Sequence, residues 1–347
     1  MSKRHRVIVT DFIHDALEPE KSVLGDIADV IALNASNEKE LGGKVEDAAA
    51  LMIYHAIFRL SGATIDRLRD CRIITRCGVG YDNVDLAAAR ARGIPVANVP
   101  DYGTEEVADS AIGMMLTLTR GVHELNSRLR DRKGEWKYSQ VAPLYRLRGR
   151  TLGVIGLGRI GSAVALRGKA LGMRVLFYDP YTADGYDKAL GVVRAETLDE
   201  LLRESYVVTC HCPLTDETRH ILNARTIAKM KRGSYLINNA RGGVVDVTAI
   251  PDALATGQLA GAGIDVLEIE PPSPDHALIA AWRNPDHPAH HRLIVNPHAA
   301  FYCEEGLTEM RIKGAQSCRR AILGQPLRNI VNGVTITRAQ PERPISA

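Results

Sequence analysis

Three side chains that could act together on a small acid come shortly after apolar runs in the second half of the sequence. Arg241 comes after SYLI, which begins at Ser234, Glu270 follows GIDVLEI, and His298 follows LIVNP. An arginine at the end of a buried strand needs an anionic partner, and its planar fork binds a carboxylate bidentately. A histidine can exchange a proton with a carbonyl oxygen, and a nearby glutamate would hold the imidazole and raise its pKa. These residue types predict proton transfer on a substrate that carries a carboxylate.

Each of these residues also has an ordinary structural explanation. Arg241 could form a salt bridge with a neighbouring acid, His298 could be packed in the interior, and Glu270 could be a loop charge. The alternatives for His298 and Glu270 are less favoured because both residues occur with Arg241 at equivalent edges of the predicted sheet, where sheets of this kind bind ligands.

A dinucleotide-binding turn is indicated by GLGRIG, from Gly156 to Gly161. It follows the apolar run TLGVI and opens a helical stretch, as the G-x-G-x-x-G pattern requires. The first glycine permits the tight turn, the second admits a pyrophosphate, and the third lets helix and strand pack closely. Asp179 ends the next strand, where a carboxylate can accept hydrogen bonds from both ribose hydroxyls and repel a 2′-phosphate. The pattern favours NAD over NADP. Alternatively, the glycines could form a strand–helix turn that binds no ligand, and Asp179 could be an ordinary cap at the end of a strand.

The loop HCPLTDET, from His211 to Thr218, follows the apolar run YVVTC and could cover the adenosine or the nicotinamide ribose. Cys210, His211 and Cys212 predict no metal site, because neighbours along a strand point to opposite faces. The stretch HPAHH, which ends at His291, is interpreted as a solvated loop insertion, with a metal or substrate role as the alternative.

The elements that must position these residues alternate between short apolar runs and helical stretches. The strand-like runs are RVIVT, ADVIAL, LMIY, RIITR and PVANV in the first part, and TLGVI, RVLFYD, YVVTC, SYLIN, GAGIDV and LIVN in the second. Helices are predicted over 160–171, 198–204, 224–231, 248–256 and 303–323, and a long segment over 104–133 could be a crossover helix buried between domains or subunits. The alternation predicts parallel sheets with helices on both faces.

Composition excludes several other classes of protein. The 347 residues suffice for two domains, and a net charge of +3 with acids and bases intermixed gives no reason to expect direct binding of nucleic acid. Apolar runs are too short for a signal peptide or a membrane span. The six cysteines are expected to be reduced thiols in a cytoplasmic protein, because a chain of this length needs no disulfides to stabilise its core.

Six motifs, taken together and in their order along the chain, resemble those of the D-isomer-specific 2-hydroxyacid dehydrogenase family over about residues 51–334. The resemblance rests on RCGVGYDNVD, GLGRIG, HCPLT, MKRGSYLINNARGGVVD, DVLEIEP and PHAA. TEEVADS, GKALGMRVLFYDPY and PHAAFY are most similar to the carboxyl-terminal-binding-protein branch, the NAD-sensing transcriptional corepressors. Three positions depart from the expected pattern. Phe301 stands where that branch carries tryptophan, Asn239 replaces a small hydroxyl residue, and Pro251 lies inside a predicted helix.

The resemblance implies a role for many individual residues. Arg241, Glu270 and His298 match the catalytic residues. The predicted substrate contacts are the backbone amides of Cys77, Gly78, Val79 and Gly80, the second cation Arg76, and the aromatic wall of Phe301. The predicted cofactor contacts are Thr104, Gly156, Gly158, Arg159, Ile160, Gly161, Asp179, Pro180, Tyr181, His211, Cys212, Pro213, Thr218, Asn239, Ala240 and Asp265, the last of which would orient the nicotinamide amide.

The implied fold is α/β, with two doubly wound parallel-sheet domains and a cleft between them. A flavodoxin-like substrate domain would comprise 1–100 and 302–334, a Rossmann NAD-binding domain with a dimerisation helix 101–301, and a loose tail 335–347. The implied assembly is a homodimer, with a tetramer as the alternative, and neither nucleic acid nor membrane is an expected partner.

The implied function is that of an NAD(H)-dependent oxidoreductase. It would interconvert a 2-oxo acid and a D-2-hydroxy acid by hydride transfer, with His298 as acid and base. The alternative is an NAD(H)-sensing, corepressor-like binding protein with slow dehydrogenase activity. A phosphoglycerate dehydrogenase is a further alternative, whereas formate dehydrogenases are disfavoured because they carry glutamine in place of the glutamate partner.

Overall fold

The strands form two parallel sheets, one in each of two units of the chain. The computed structural model describes residues 4–54, 59–132 and 134–334. The first unit contains the described residues up to Gly103 together with those from Cys303 onward, and the second unit is Thr104–Tyr302. The predicted tail, 335–347, and the end of the predicted crossover segment at Lys133 lie outside the described residues.

The strands are short and mostly buried. In chain order they are β1 (His5–Val9), β2 (Ala28–Ala32), β3 (Ala50–Ile53), β4 (Ile74–Arg76), β5 (Val96–Asn98), β6 (Thr151–Ile155), β7 (Arg174–Tyr178), β8 (Val193–Arg194), β9 (Val207–Cys210), β10 (Ser234–Asn238), β11 (Leu259–Ile264) and β12 (Leu293–Val295).

The helices connect these strands. They are α1 (Glu18–Leu24), α2 (Gly62–Ile65), α3 (Leu86–Ala91), α4 (Thr104–Thr119), α5 (Val122–Arg130), α6 (Arg159–Ala170), α7 (Tyr186–Leu190), α8 (Leu198–Glu204), α9 (Ala224–Ile227), α10 (Ile250–Ala255), α11 (Ala277–Arg283), α12 (Ala289–Arg292) and α13 (Glu304–Ile322). Short 3₁₀ turns occupy Glu38–Leu41, Tyr138–Val141, Gly242–Val244 and Val247–Ala249. Among the described residues, no helix combines the length and apolarity needed to cross a bilayer.

The first unit has the strand order β2-β1-β3-β4-β5, which is the flavodoxin-like order. Helix α13 packs on this sheet, and a Cβ at Gly314 would lie 2.5 Å from the Cys77 sulfur, so glycine permits the close approach. The buried Arg311 of α13 binds Glu20 of α1 through two hydrogen bonds of 2.7 Å and also binds Asp15. The chain from Cys303 onward is therefore tied to the amino-terminal part of this unit.

The second unit has the order β12-β11-β10-β9-β6-β7-β8, which is a Rossmann order with one further strand. The prediction of an α/β fold with two doubly wound parallel sheets is confirmed. Strand β8 was not predicted, because it is only two residues long and one of them is an arginine. The carboxyl ends of β6 and β9, where the strand order reverses, mark the position at which such sheets bind ligands.

The predicted crossover segment is two helices rather than one. Gly121, with φ of 65°, separates α4 from α5, and this left-handed conformation ends the first helix. The apolar face of α4 includes Met114, which packs against β11 so closely that a Cβ at Gly263 would lie 2.9 Å from its sulfur. Packing within the second unit therefore accounts for the buried face of α4.

Two predicted helices are shorter than expected. The helix predicted over 224–231 ends at Ile227, because Lys229 and Met230 donate to carbonyls three residues back and tighten the chain into turns. The helix predicted over 248–256 is a 3₁₀ turn followed by α10. Pro251 lies in the first turn of α10, where a backbone N–H has no intrahelical acceptor, which explains its presence.

Candidate active site

Arg241 lies in the loop that follows β10, and residues next to it in the chain hold the backbone of this loop in place. The buried Asn238 side chain accepts a hydrogen bond from the Ala240 amide at 3.1 Å and donates to the Arg241 carbonyl at 3.0 Å. A Cβ at Gly242 would lie 1.9 Å from the carbonyl carbon of Leu267, so only glycine lets this loop touch the loop after β11. The ARGG sequence therefore brings the arginine loop against the segment that leads to Glu270.

Glu270 and His298 form a direct pair. The Glu270 carboxylate lies 2.7 Å from Nδ1 of His298, and its second oxygen accepts from the Leu267 amide at 2.7 Å. Both side chains are largely buried, at 26% and 20% exposure. His298 has a positive φ of 53°, which is uncommon for a residue with a side chain and is typical of functional sites. The ring of Phe301 lies edge-on to the imidazole, with 6.2 Å between centroids.

Asp265 binds the backbone of the loop that carries His298. Its carboxylate accepts from the amides of Ala299 at 2.9 Å and Ala300 at 3.1 Å, and the His298 amide donates to its carbonyl at 2.7 Å. Burial raises the pKa of Asp265, while the two amide donors and His298 act in the opposite direction. In this structure Asp265 fixes the turn after β12.

Arg241, Glu270 and His298 come after three neighbouring strands, β10, β11 and β12. Two backbone hydrogen bonds connect the strand ends, from the Asp265 amide to the Asn238 carbonyl at 3.0 Å and from His298 to Asp265. The structure thus places the three predicted catalytic residues on connected loops at one edge of the sheet. Sequence reasoning missed Asn238, although an asparagine at the end of a buried apolar run was the available signal.

The glycine turn after β6 has the contacts that the sequence pattern predicts. A Cβ at Gly156 (φ 89°) would lie 2.7 Å from the Cys212 amide nitrogen, and one at Gly161 would lie 2.0 Å from the Gly156 carbonyl oxygen. A Cβ at Gly158 would meet no described atom within 4 Å. Gly156 and Gly161 therefore allow close packing, and Gly158 leaves open space at the turn.

Helix α6 begins at Arg159 directly after this turn. Its N-cap residue is Gly158, which provides no side-chain cap for the amides of the first turn, and Ile160 and Gly161 follow. Such amides, at the positive end of a helix of 12 residues, can bind a phosphate. The open space beside Gly158 and the uncapped helix end therefore suit the pyrophosphate of a dinucleotide.

Asp179 follows β7 and is held by two amides. One carboxylate oxygen accepts from Leu157 at 2.8 Å and the other from Tyr181 at 2.9 Å. A carboxylate has about four acceptor positions, so capacity for two ribose hydroxyls remains. Pro180 comes next in the chain, and the ring of Tyr181 is 78% exposed, with its hydroxyl bonded to Glu217.

The loop after β9 contains His211, Cys212, Pro213 and Thr218. The Thr218 hydroxyl donates to the Pro213 carbonyl at 2.6 Å and closes the loop. His211 Nε2 pairs with the hydroxyl of Thr209 at 2.8 Å, and burial lowers the pKa of His211 to about 3, so the imidazole is neutral.

Two buried polar atoms at these strand ends have no hydrogen-bond partner within the described part of the chain. They are Nδ1 of His211 after β9 and Oδ1 of Asn239 after β10. The Asn239 amide nitrogen lies 4.0 Å from the sulfur of Met114. Buried polar atoms usually need partners, so a polar ligand at this edge would satisfy both.

The predicted substrate loop belongs to the first unit, at the end of β4. The Arg76 guanidinium donates to the carbonyl of Cys77 at 2.9 Å. A Cβ at Gly78 would lie 1.4 Å from Nη1 of the same guanidinium. Because Gly78 has no Cβ, it leaves room for the Arg76 side chain, and its φ of 153° also favours glycine. The carbonyl of Val79 accepts from the Asn98 side chain at 2.7 Å, and Gly80 follows Val79 in the chain.

The predicted cofactor residue Thr104 is the first residue of α4 in the second unit.

Comparison with known proteins identifies relatives over most of the chain. A family model described as "D-isomer specific 2-hydroxyacid dehydrogenase, NAD binding domain" matches residues 112–300. D-3-phosphoglycerate dehydrogenase of Methanocaldococcus jannaschii is 34% identical over 94% of this chain and 59% of that protein. C-terminal-binding protein 1 of Caenorhabditis elegans is 32% identical over 92% of this chain and 44% of that protein. The chain thus spans about half the length of these two relatives.

A solved structure is similar along almost its whole length. D-lactate dehydrogenase from Aquifex aeolicus, crystallised with NAD and lactic acid, superposes with a TM-score of 0.81 at 29% identity. The match covers 92% of this chain and 96% of that one.

Proposed function

Because the chain belongs to the D-isomer specific 2-hydroxyacid dehydrogenase family, we propose that it is an NAD(H)-dependent oxidoreductase that interconverts a 2-oxo acid and a D-2-hydroxy acid. The observation that carries this proposal is the 2.7 Å pair between His298 and Glu270, on loops connected to the loop of Arg241. A protein that only binds NAD(H) does not require an acid–base histidine, although the corepressor branch that this sequence resembles retains one.

His298 would act as the acid in reduction and as the base in oxidation. When bound, the reduced nicotinamide supplies a hydride to the carbonyl carbon. Because Nδ1 is bonded to Glu270, the proton would pass from Nε2 of His298 to the carbonyl oxygen. The negative charge of Glu270 would stabilise the imidazolium and keep the ring oriented.

Arg241 would bind the substrate carboxylate and polarise the carbonyl. Its fork suits bidentate contact with a carboxylate, and its backbone is fixed by Asn238. The sequence resemblance supports further substrate contacts from the first unit, through Arg76 and the amides of residues 77–80, and from Phe301 beside His298.

The cofactor would bind along the carboxyl edge of the second sheet. The turn at Gly158 and the amides at the start of α6 would hold the pyrophosphate, and Asp179 would accept the ribose hydroxyls. His211 and Asn239 would contact the nicotinamide half of the cofactor. Each has one buried polar atom that finds no hydrogen-bond partner among the described residues. The carboxylate of Asp179 favours NAD over NADP. A homodimer and a cytoplasmic location belong to the same proposal on the strength of the sequence resemblance.

The decisive experiment is NADH oxidation against a panel of 2-oxo acids. Glyoxylate, hydroxypyruvate, pyruvate, phenylpyruvate, a thioether 2-oxo acid and phosphohydroxypyruvate would span small, aromatic and phosphorylated side chains. Turnover above about 1 per second with at least one acid would support the dehydrogenase. Negligible turnover throughout, with NADH binding shown by fluorescence in parallel, would contradict it and favour the NAD(H)-sensing alternative.

A further inference from the structure

A cluster of two histidines and an aspartate lies where α5 meets α12 in the second unit. Asp131 is the residue at which α5 ends, and His290 and His291 lie on α12. One possible ligand atom from each residue lies within 4.8 Å of the other two. The interpretation of HPAHH as a solvated loop is wrong for His291, which is only 8% exposed because α12 packs against α5.

Both imidazoles are held by hydrogen bonds at Nδ1. Nδ1 of His290 lies 2.9 Å from the Trp282 carbonyl, and because a carbonyl only accepts, this nitrogen carries the hydrogen. Nδ1 of His291 lies 3.0 Å from the Ser127 hydroxyl. Histidines that bind metals usually donate one ring N–H to a carbonyl or another acceptor and present the other nitrogen to the ion. In His290 the candidate ligand is therefore Nε2, and His291 offers one ring nitrogen to the cluster.

The electrostatics of the cluster favour a cation. Nε2 of His290 faces an Asp131 carboxylate oxygen at 3.3 Å, an arrangement that is repulsive unless a proton or a metal ion lies between them. Asp131 also stands at the carboxyl end of α5, where the helix dipole adds partial negative charge. The neighbouring Arg128 binds Glu124 at 2.8 Å, so its charge is already compensated.

We propose that Asp131, His290 and His291 bind a divalent transition-metal ion of the Zn²⁺ type. The donor set of two imidazole nitrogens and one carboxylate oxygen suits Zn²⁺, whereas Mg²⁺ and Ca²⁺ prefer oxygen alone. Tetrahedral bonds of about 2.0–2.2 Å place ligand atoms roughly 3.4 Å apart. The His290–Asp131 pair already lies at 3.3 Å, and the separations from His291, at most 4.8 Å, would shorten on binding. The ion would link α5 to α12, and water would complete its coordination. This site is independent of the proposed dehydrogenase activity.

Ion binding to the full chain tests the proposal directly. Metal-free protein without a histidine tag would be titrated with Co²⁺, whose visible absorption reports tetrahedral coordination, and with Zn²⁺ by calorimetry. We expect about one equivalent to bind with a Kd below about 10 μM. His290→Ala and Asp131→Asn should weaken binding at least tenfold, and the matched change His14→Ala, at an exposed histidine of the first unit, should not.

Two results would overturn the proposal. One is a Kd weaker than about 100 μM for both ions; the other is unchanged binding in both His290→Ala and Asp131→Asn. The more exposed members of the cluster are chosen because the buried His291 could not be replaced without risk to folding. Circular dichroism of each variant would verify the fold, and none of these measurements depends on turnover.

Discussion

The proposed proton transfer depends on one hydrogen bond between two side chains. The Glu270 carboxylate lies 2.7 Å from Nδ1 of His298 and orients the imidazole. The Glu270 carboxylate is held by the Leu267 amide, and the backbone of the His298 loop is fixed by Asp265. Their geometry is therefore present before any substrate binds, as general acid catalysis requires.

We expect His298→Ala to reduce kcat by about 100-fold or more, the usual contribution of an acid–base group, while NADH binding persists. Glu270→Gln should reduce kcat on the order of 10-fold, because a neutral amide forms a hydrogen bond weaker by roughly 1.4 kcal/mol. Because Glu270 acts through the histidine, the double variant should be no slower than His298→Ala alone. Additive losses measured in steady-state kinetics would show that the two residues act separately.

The preference for NADH over NADPH is expected to depend on the single carboxylate of Asp179. Asp179→Ser should lower the ratio of kcat/KM for the two cofactors, because it removes the charge that repels a 2′-phosphate. Asp179→Asn removes the charge but keeps an oxygen that can accept from one of the two backbone amides, Leu157 or Tyr181, so it is a milder change than serine. If the cofactor ratio is the same in wild type and both variants, the ribose contact lies elsewhere.

At the scale of elements, the strands that were easiest to predict are those buried on both faces. Strands β6 and β10 are continuous apolar runs bounded by glycine or turn residues, and their pattern alone indicated a parallel sheet. Helix ends were harder, because Gly121 and the turns after Ile227 end helices through tertiary packing and local hydrogen bonds. Arg241, Glu270 and His298 could be singled out because each lies in the loop that follows a predicted strand. Proximity of Asp131 to His291 could not be foreseen, because it depends on how two helices pack.

In the turn between β6 and α6, one glycine is needed for packing and another is proposed to make room for the cofactor. Gly161→Ala should destabilise the protein, because the new Cβ would lie 2.0 Å from the Gly156 carbonyl. Gly158→Ala should leave the melting temperature nearly unchanged, because its Cβ meets no described atom, and should weaken NADH binding by on the order of tenfold. Thermal unfolding and NADH fluorescence titration of both variants check this pair. Tight NADH binding by a stable Gly158→Ala variant would place the pyrophosphate elsewhere.

The free energy of unfolding of the whole molecule should depend on pH through the half-buried imidazole of His211. Burial lowers the pKa of His211 from 6.5 to about 3, so the folded protein keeps this imidazole neutral while the unfolded chain takes up a proton. The stability is therefore fully present above pH of about 6.5 and is lost as the pH falls toward about 3. Between pH 7 and pH 5 the loss from this residue should be about 2 kcal/mol.

His211→Gln removes the titrating group and isolates this contribution. The variant loses the bond to Thr209 at every pH, so its stability at pH 7 is not the informative quantity. The informative quantity is the difference in free energy of unfolding between pH 7 and pH 5, measured by urea denaturation followed by circular dichroism. That difference should be smaller in the variant by about 2 kcal/mol, because all other groups titrate alike in both proteins. Equal differences in the two proteins would mean that the folded protein protonates His211, and the neutral ring assigned to the loop after β9 would be wrong.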